Sequence, residues 1–167
     1  MFKKGDVVFY RMNGIYEITD ITTVDFPGVD KDRLFYVLRQ QTGSEKIYVA
    51  ADGDTSKMRK IISREEALEL ISQIPDLEPL KLKDEKKPEA EYKEALQKYD
   101  CIETLRLIKC IYFRRKQRLD DRKKVIAADE RYMRLAEDML YQELGRALDI
   151  PEDQVLDYLI NKIENQP

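Results

Sequence analysis

The chain has no histidine and no tryptophan. Without histidine the commonest general base and metal ligand is missing, and no Ser-His or Cys-His nucleophile can be assembled. Only two cysteines occur, Cys101 and Cys110. Placed on one expected helix they stand about 13 Å apart along its axis, too far for a disulfide. They form no metal-ligand spacing either, and read as small buried apolar residues of a reducing compartment. The six glycines are scattered and mostly sit in turns, so no phosphate-cradling loop is present. No apolar run approaches membrane-spanning length, and no basic segment leads into an apolar run at the N-terminus. The expectations are a cytoplasmic location, no membrane, no cofactor, no metal and no small-molecule substrate. Acidic pairs such as Asp120-Asp121 and Asp129-Glu130 read as solvated faces in a chain with 38% charged residues, and no enzyme is expected.

What is present fits a soluble chain with a heavily charged surface. Its 167 residues suffice for one ordinary domain or two small ones, and 43% are hydrophobic. The net charge of −3 does not announce a nucleic-acid partner, so local patterning has to decide.

The first sixty residues read as short strands. Asp6 to Tyr10 is a short apolar run, and Asn13-Gly14 then signals a hairpin, because both residues tolerate positive φ. Ile15 to Val24 is rich in β-branched residues. Phe26-Pro27-Gly28 and the charged stretch to Asp32 make a loop. Leu34 to Leu38 reads as a fully buried strand, Lys46 to Ala50 returns, and Met58 to Ile62 adds a fifth. Five short strands with turns every eight to twelve residues predict a small SH3- or Tudor-like barrel, with a flat meander as the alternative. Such a module can take a partner's strand at an open edge or serve as a plain packing domain.

At Ser63 the period changes. Ser63 and Glu66 form the pattern of a capping box, and Leu68, Ile71 and Ile74 follow at helical spacing up to Pro75. Asp76 to Lys87 has two prolines counting Pro79, several lysines and no period, and reads as a loose connection. Pro88 suits the first position of the next helix, whose apolar stripe is Tyr92, Ala95, Leu96 and Tyr99. Asp100 opens a longer helix with Ile102, Leu105, Ile108 and Tyr112 on its core face. Ala127 to Leu148 and a stretch from Pro151 complete a helical bundle of about five pieces. The fold class is therefore α+β: a small five-stranded barrel over residues 1–62, then an all-α bundle over 63–167.

One stretch of the bundle stands apart. Tyr112 to Lys124 reads YFRRKQRLDDRKK, with seven basic residues against two acidic ones. Arg114, Arg115, Lys116, Arg118, Arg122, Lys123 and Lys124 are candidates for phosphate contact, with Lys93, Arg131 and Arg134 as additions. The alternative is a solvated helix end whose cations complement the C-terminal macrodipole.

Several segments together resemble the CarD/CdnL family of bacterial transcription regulators. They are the opening MFKKGDVVFY and NGIYEI, the strand Phe35-Tyr36-Val37-Leu38, and the Glu91 to Lys98 stretch with its Tyr92-Lys93 pair. The helix ending in Arg114-Arg115, DERYM at Asp129 to Met133, and LYQEL at Leu140 to Leu144 complete the set. The resemblance implies a Tudor-like N-terminal domain that binds the β subunit of RNA polymerase, related to that of the transcription-repair coupling factor. It also implies a helical domain that contacts promoter double-stranded DNA, the two together modulating open-complex stability. Positions that contact polymerase in such proteins fall on Val24 and Tyr48, with Lys46 beside them. The tryptophan that wedges at the minor groove in better-known members is absent. Pro88 or Tyr92 is left as the wedge candidate, and Tyr92 equally fits the helix's apolar stripe. A protein-binding adaptor without a DNA role is the alternative function, and an RNA-binding module of the Tudor or KOW kind a third.

Overall fold

The computed structural model describes residues 1–165. The chain divides into two units, one of residues 1–61 and one beginning at Ile62.

The first unit is an antiparallel sheet. Its strands are β1 (Val7–Tyr10), β2 (Ile15–Thr23), β3 (Leu34–Arg39), β4 (Lys46–Ala50) and β5 (Met58–Lys60). The spatial order is β4-β3-β2-β1-β5. The first four strands form a meander, and β5 returns to pair with β1, where Phe9 faces Arg59. No ladder joins β4 to β5 among the described residues, so the expected barrel is an open sheet with two edges. β5 is only three residues long and pairs with β1 alone, so its outer edge stays unpaired.

One face of the sheet carries the core: Val8, Tyr16, Ile18, Tyr36, Leu38 and Met58, with Ile21, Ile47 and Val49 packed around them. Period-two alternation puts Tyr36 and Leu38 on this face and Phe35 and Val37 on the other, where both are also buried. Leu34 departs from the expected fully buried strand and is 49% exposed. A register shift between Ile18 and Asp20 explains how Ile18 and Ile21 both reach the core, although they stand an odd three positions apart. The turn between β1 and β2 is also not the two-residue kind expected. Tyr10 N–H bonds the Gly14 carbonyl at 3.0 Å, and the residues with positive φ are Arg11 and Gly14, not Asn13 and Gly14.

The second unit is helical: α1 (Arg64–Gln73), α2 (Glu89–Gln97), α3 (Cys101–Asp120), α4 (Ala127–Leu148) and α5 (Val155–Glu164). Ser63 caps α1 in a full capping box: its hydroxyl accepts the Glu66 N–H at 3.1 Å and Glu66 accepts the Ser63 N–H at 2.7 Å. Asp100 caps α3 by accepting the N–H groups of Ile102 and Glu103. Asp149, with φ 56°, turns the chain out of α4 and lets Ile150 N–H reach the Gly145 carbonyl. Leu70, Ile71, Leu105, Leu140, Leu144, Val155 and Leu159 supply most of the shared core.

The stretch from Leu77 to Lys87 contradicts the loose connection expected of it. It has no regular structure, yet it is strapped along α3. Leu80 N–H bonds the Arg106 carbonyl at 3.0 Å, Arg106 Nε reaches the Glu78 carbonyl, and Lys109 Nζ takes the Leu77 carbonyl at 2.8 Å. Its far end is held by Glu91, whose carboxylate accepts the N–H groups of Lys83 and Asp84. The strap lies inside the helical unit, and β5 ends only a few residues before α1 begins.

Candidate interaction surfaces

Two surfaces stand out. The first is the β4 edge. β4 pairs with β3 alone, so its outer backbone groups are open to a further strand. Tyr48 on β4 is 38% exposed, and Phe26, from the loop after β2, meets its ring edge-on at 5.5 Å. Lys46 is exposed at the start of β4, and Val24 is half-buried just beyond β2. Of the three positions expected at the polymerase contact, Lys46 and Tyr48 stand on this edge, whereas Val24 follows β2, an inner strand. Phe26 and Leu34 add exposed apolar surface to this unit. Phe26 carries no periodic signal in the sequence, being a lone aromatic beside Pro27-Gly28 in the loop after β2.

The second surface is the C-terminal part of α3 with the turn into α4. No residue of α3 after Ile111 is buried. Tyr112, expected on the core face, is 54% exposed, Phe113 50% and Leu119 63%. Ile102, also expected in the core, is exposed too.

The cations of this region divide into two sets. Arg114 is committed internally. Its Nε lies 3.4 Å from Asp129 Oδ2 and its Nη2 bonds the Glu85 carbonyl, which ties α3 to α4 and to the strap. Arg118 fastens the turn: its Nε donates to the Lys124 carbonyl at 2.7 Å, and its own carbonyl accepts the Lys123 N–H. Arg115 is half-buried and near Glu137 on α4. Burial pushes the Glu137 carboxyl upward, and Arg115 opposes that shift. Lys116, Arg122, Lys123 and Lys124 are exposed. Arg131 and Arg134 are exposed in the first turns of α4; Arg131 pairs with Glu89 and lies over the Tyr132 ring. Lys93 is exposed on α2.

Both wedge candidates are buried. Tyr92 is 0% exposed and donates its hydroxyl to Asp129 Oδ1 at 2.7 Å. Burial and then this bond hold the hydroxyl far above the ordinary phenol range, so it stays a donor. Pro88 is buried at the N-cap of α2. Neither residue is presented for insertion between bases. Asp129 likewise departs from the solvated face expected of it, because it accepts from both Tyr92 and Arg114 inside the unit.

The two cysteines are buried as expected, and Cys101 Sγ lies 3.1 Å from Glu143 Oε2. The other oxygen of Glu143 accepts the Ile62 N–H, so this buried carboxylate anchors the start of the helical unit. Among the described residues no His, Cys, Asp or Glu cluster is suited to a metal ion, and no helix is long and apolar enough to cross a membrane.

An open five-stranded sheet with an unpaired edge and aromatic side chains beside it can take up a partner's strand. More closely, residues 2–62 match the CarD-like/TRCF RID domain family. The first unit is a CarD-like/TRCF RID domain, and this supports a transcription-related role involving RNA polymerase. The match ends where the helical unit begins. No curated protein matches the chain.

Proposed function

We propose that the protein is a bacterial, cytoplasmic transcription regulator. It docks on the β subunit of RNA polymerase through its first unit and contacts promoter DNA through the exposed cations at the α3–α4 turn. It modulates the stability of the open promoter complex and acts by binding alone, without catalysis. The family match over residues 2–62 carries this reading. The β4 edge supports it physically. An added strand gains main-chain hydrogen bonds there, and the Phe26–Tyr48 pair offers an apolar anchor. On the DNA side, Lys116, Arg122, Lys123 and Lys124 would release counterions without reading sequence. Arg114 and Arg118 support that surface from within.

The test is calorimetric titration of the full chain into the β-subunit lobe of the source organism's polymerase. Micromolar or tighter binding is expected, weakened about tenfold or more by Tyr48→Asp. Absence of binding by the folded chain would overturn the docking half. The net charge of −3 and the internal commitment of Arg114 favour a second reading, an adaptor without a DNA role. Polymerase binding together with no salt-dependent binding of duplex DNA would select it.

A further inference from the structure

The phosphate-contacting cations proposed above do not account for the apolar side chains among them. Tyr112, Phe113 and Leu119 are each at least half exposed on the same helix segment that carries Arg115 and Lys116. Helical spacing decides how they are arranged. Tyr112, Lys116 and Leu119 follow at i, i+4 and i+7, which is one stripe of a helix. Arg115, three residues after Tyr112, lies along one side of it. Phe113 lies along the other, three residues before Lys116. The two rings are 5.4 Å apart at 73°, so they present differently oriented π-faces rather than one stacked pair. From Tyr112 to the end of α3 at Asp120 the stripe runs about 12 Å, beyond which Arg122, Lys123 and Lys124 continue it as an exposed basic turn. Arg118 holds that turn in place through the Lys124 carbonyl.

An exposed apolar stripe needs an occupant. Charge narrows the choice: the flanking side chains are Arg115 and Lys116, with the basic turn beyond, and the acids nearby are Asp120, Asp121 and, beside Arg115, Glu137 on α4. Asp121 is engaged by the Gln117 amide. The occupant must be anionic and must offer flat apolar faces at short intervals. A duplex offers phosphates but keeps its base faces stacked. Unpaired nucleotides offer both at once, with the base on an aromatic ring and the phosphate on a cation. About 12 Å of helix corresponds to three or four steps of a strand at duplex spacing.

We propose that the Tyr112–Phe113 end of α3 is a binding site for unpaired nucleotides of DNA, in which the rings stack bases and Arg115 and Lys116 hold the adjoining phosphates. The proposal rests on the DNA half of the function proposed above and adds to it a preference for single-stranded segments next to duplex.

The experiment uses the full chain and fluorescence anisotropy with two labelled DNAs. One is a blunt duplex and the other is the same duplex with a short single-stranded tail. The wild-type chain should bind the tailed DNA about tenfold more tightly, the scale of one base stacked on one ring. Tyr112→Leu/Phe113→Leu keeps apolar bulk but removes the π-faces. It should abolish the tail preference, leave blunt-duplex affinity unchanged and preserve the helical circular dichroism. Lys123→Ala/Lys124→Ala should instead weaken both DNAs together. Equal wild-type affinity for both DNAs would overturn the stacking site while leaving the duplex contact standing. Retention of the tail preference by the leucine variant would overturn it too, since bulk rather than stacking would be responsible. Absence of binding to either DNA would overturn both this site and the DNA half of the proposed function. Binding of vesicles containing anionic lipid, lost on Tyr112→Leu/Phe113→Leu while neither DNA is discriminated, would reassign the stripe to a membrane surface.

Discussion

Replacing Tyr92 by phenylalanine removes one oxygen from the interior of the helical unit and leaves its shape intact. That oxygen donates to Asp129 Oδ1 at 2.7 Å, and both residues are 0% exposed. The partner is a carboxylate whose other oxygen faces Arg114 at 3.4 Å. A hydrogen bond to a charged group contributes about 1.5–3 kcal/mol, and here the abandoned acceptor cannot turn to water. Tyr92→Phe should therefore cost about 2 kcal/mol. Asp129→Ala should cost more, about 3–5 kcal/mol, because it strands the Tyr92 hydroxyl and the largely buried Arg114 together. The double variant should cost clearly less than the sum, since each single change already breaks the shared bond. Urea unfolding followed by helical circular dichroism measures all three. The slope with urea should be unchanged if only stability moves. Loss of less than 0.5 kcal/mol (about the scatter of a surface substitution) would refute the argument, as would strict additivity. The same variant separates structure from recognition: under folding conditions Tyr92→Phe should leave DNA affinity unaltered, whereas a wedge at that position would change it.

Other consequences can be checked independently. Ser63→Ala removes the hydroxyl that accepts the Glu66 N–H, leaves the backbone N–H that donates to Glu66, and should lower stability by about 1 kcal/mol, a shift of a few degrees in Tm by calorimetry. Gly145→Ala should destabilise rather than help α4, although alanine is the better helix former. The added Cβ would lie 3.0 Å from the Ile150 carbonyl oxygen and 3.4 Å from Val155 Cγ2, and Ile150 is itself held by its bond to Gly145. Burial raises the Glu103 carboxyl, but hydrogen bonds from Lys98 and Arg106 outweigh it and hold the pKa below the ordinary value. The stabilisation is therefore present above the unfolded-state pKa and lost as pH falls through the folded one. Glu103→Gln should be less stable than wild type at neutral pH, with the gap closing in acid; a gap independent of pH would count against the ion pairs.

Much of the local architecture was legible because it is written in neighbouring residues. The α4 limits at Ala127 and Leu148, the capping box at Ser63 and the Lys46 to Ala50 strand follow from spacing and end chemistry within a few residues of each element. The basic run from Arg114 to Lys124 needed only composition. The roles of its members were not legible. Arg114 and Arg118 look like their neighbours in sequence, yet one is bound to Asp129 and the Glu85 carbonyl and the other to the Lys124 carbonyl. Only the exposed remainder is available to a partner. Tyr112 illustrates the opposite error: it continues the apolar period of α3, but α3 has no buried residue beyond Ile111, so a residue in phase with the core face lies in solvent.

The succession of strands and helices along the chain, the ends of several of them and the concentration of positive charge at one turn can all be read from the residues alone. All of these depend on interactions between residues close in the chain. Tertiary structure decided whether the sheet closes, whether the stretch before Pro88 is loose, whether Tyr92 faces a partner or the core, and which arginines are spent internally. Each of those depends on a contact between distant residues: β5 with β1, Leu80 with Arg106, Tyr92 with Asp129 and Arg114 with Asp129. A hydrogen-bonding group has the same chemistry wherever it stands in the chain, and only the fold determines which partner comes within 3 Å of it.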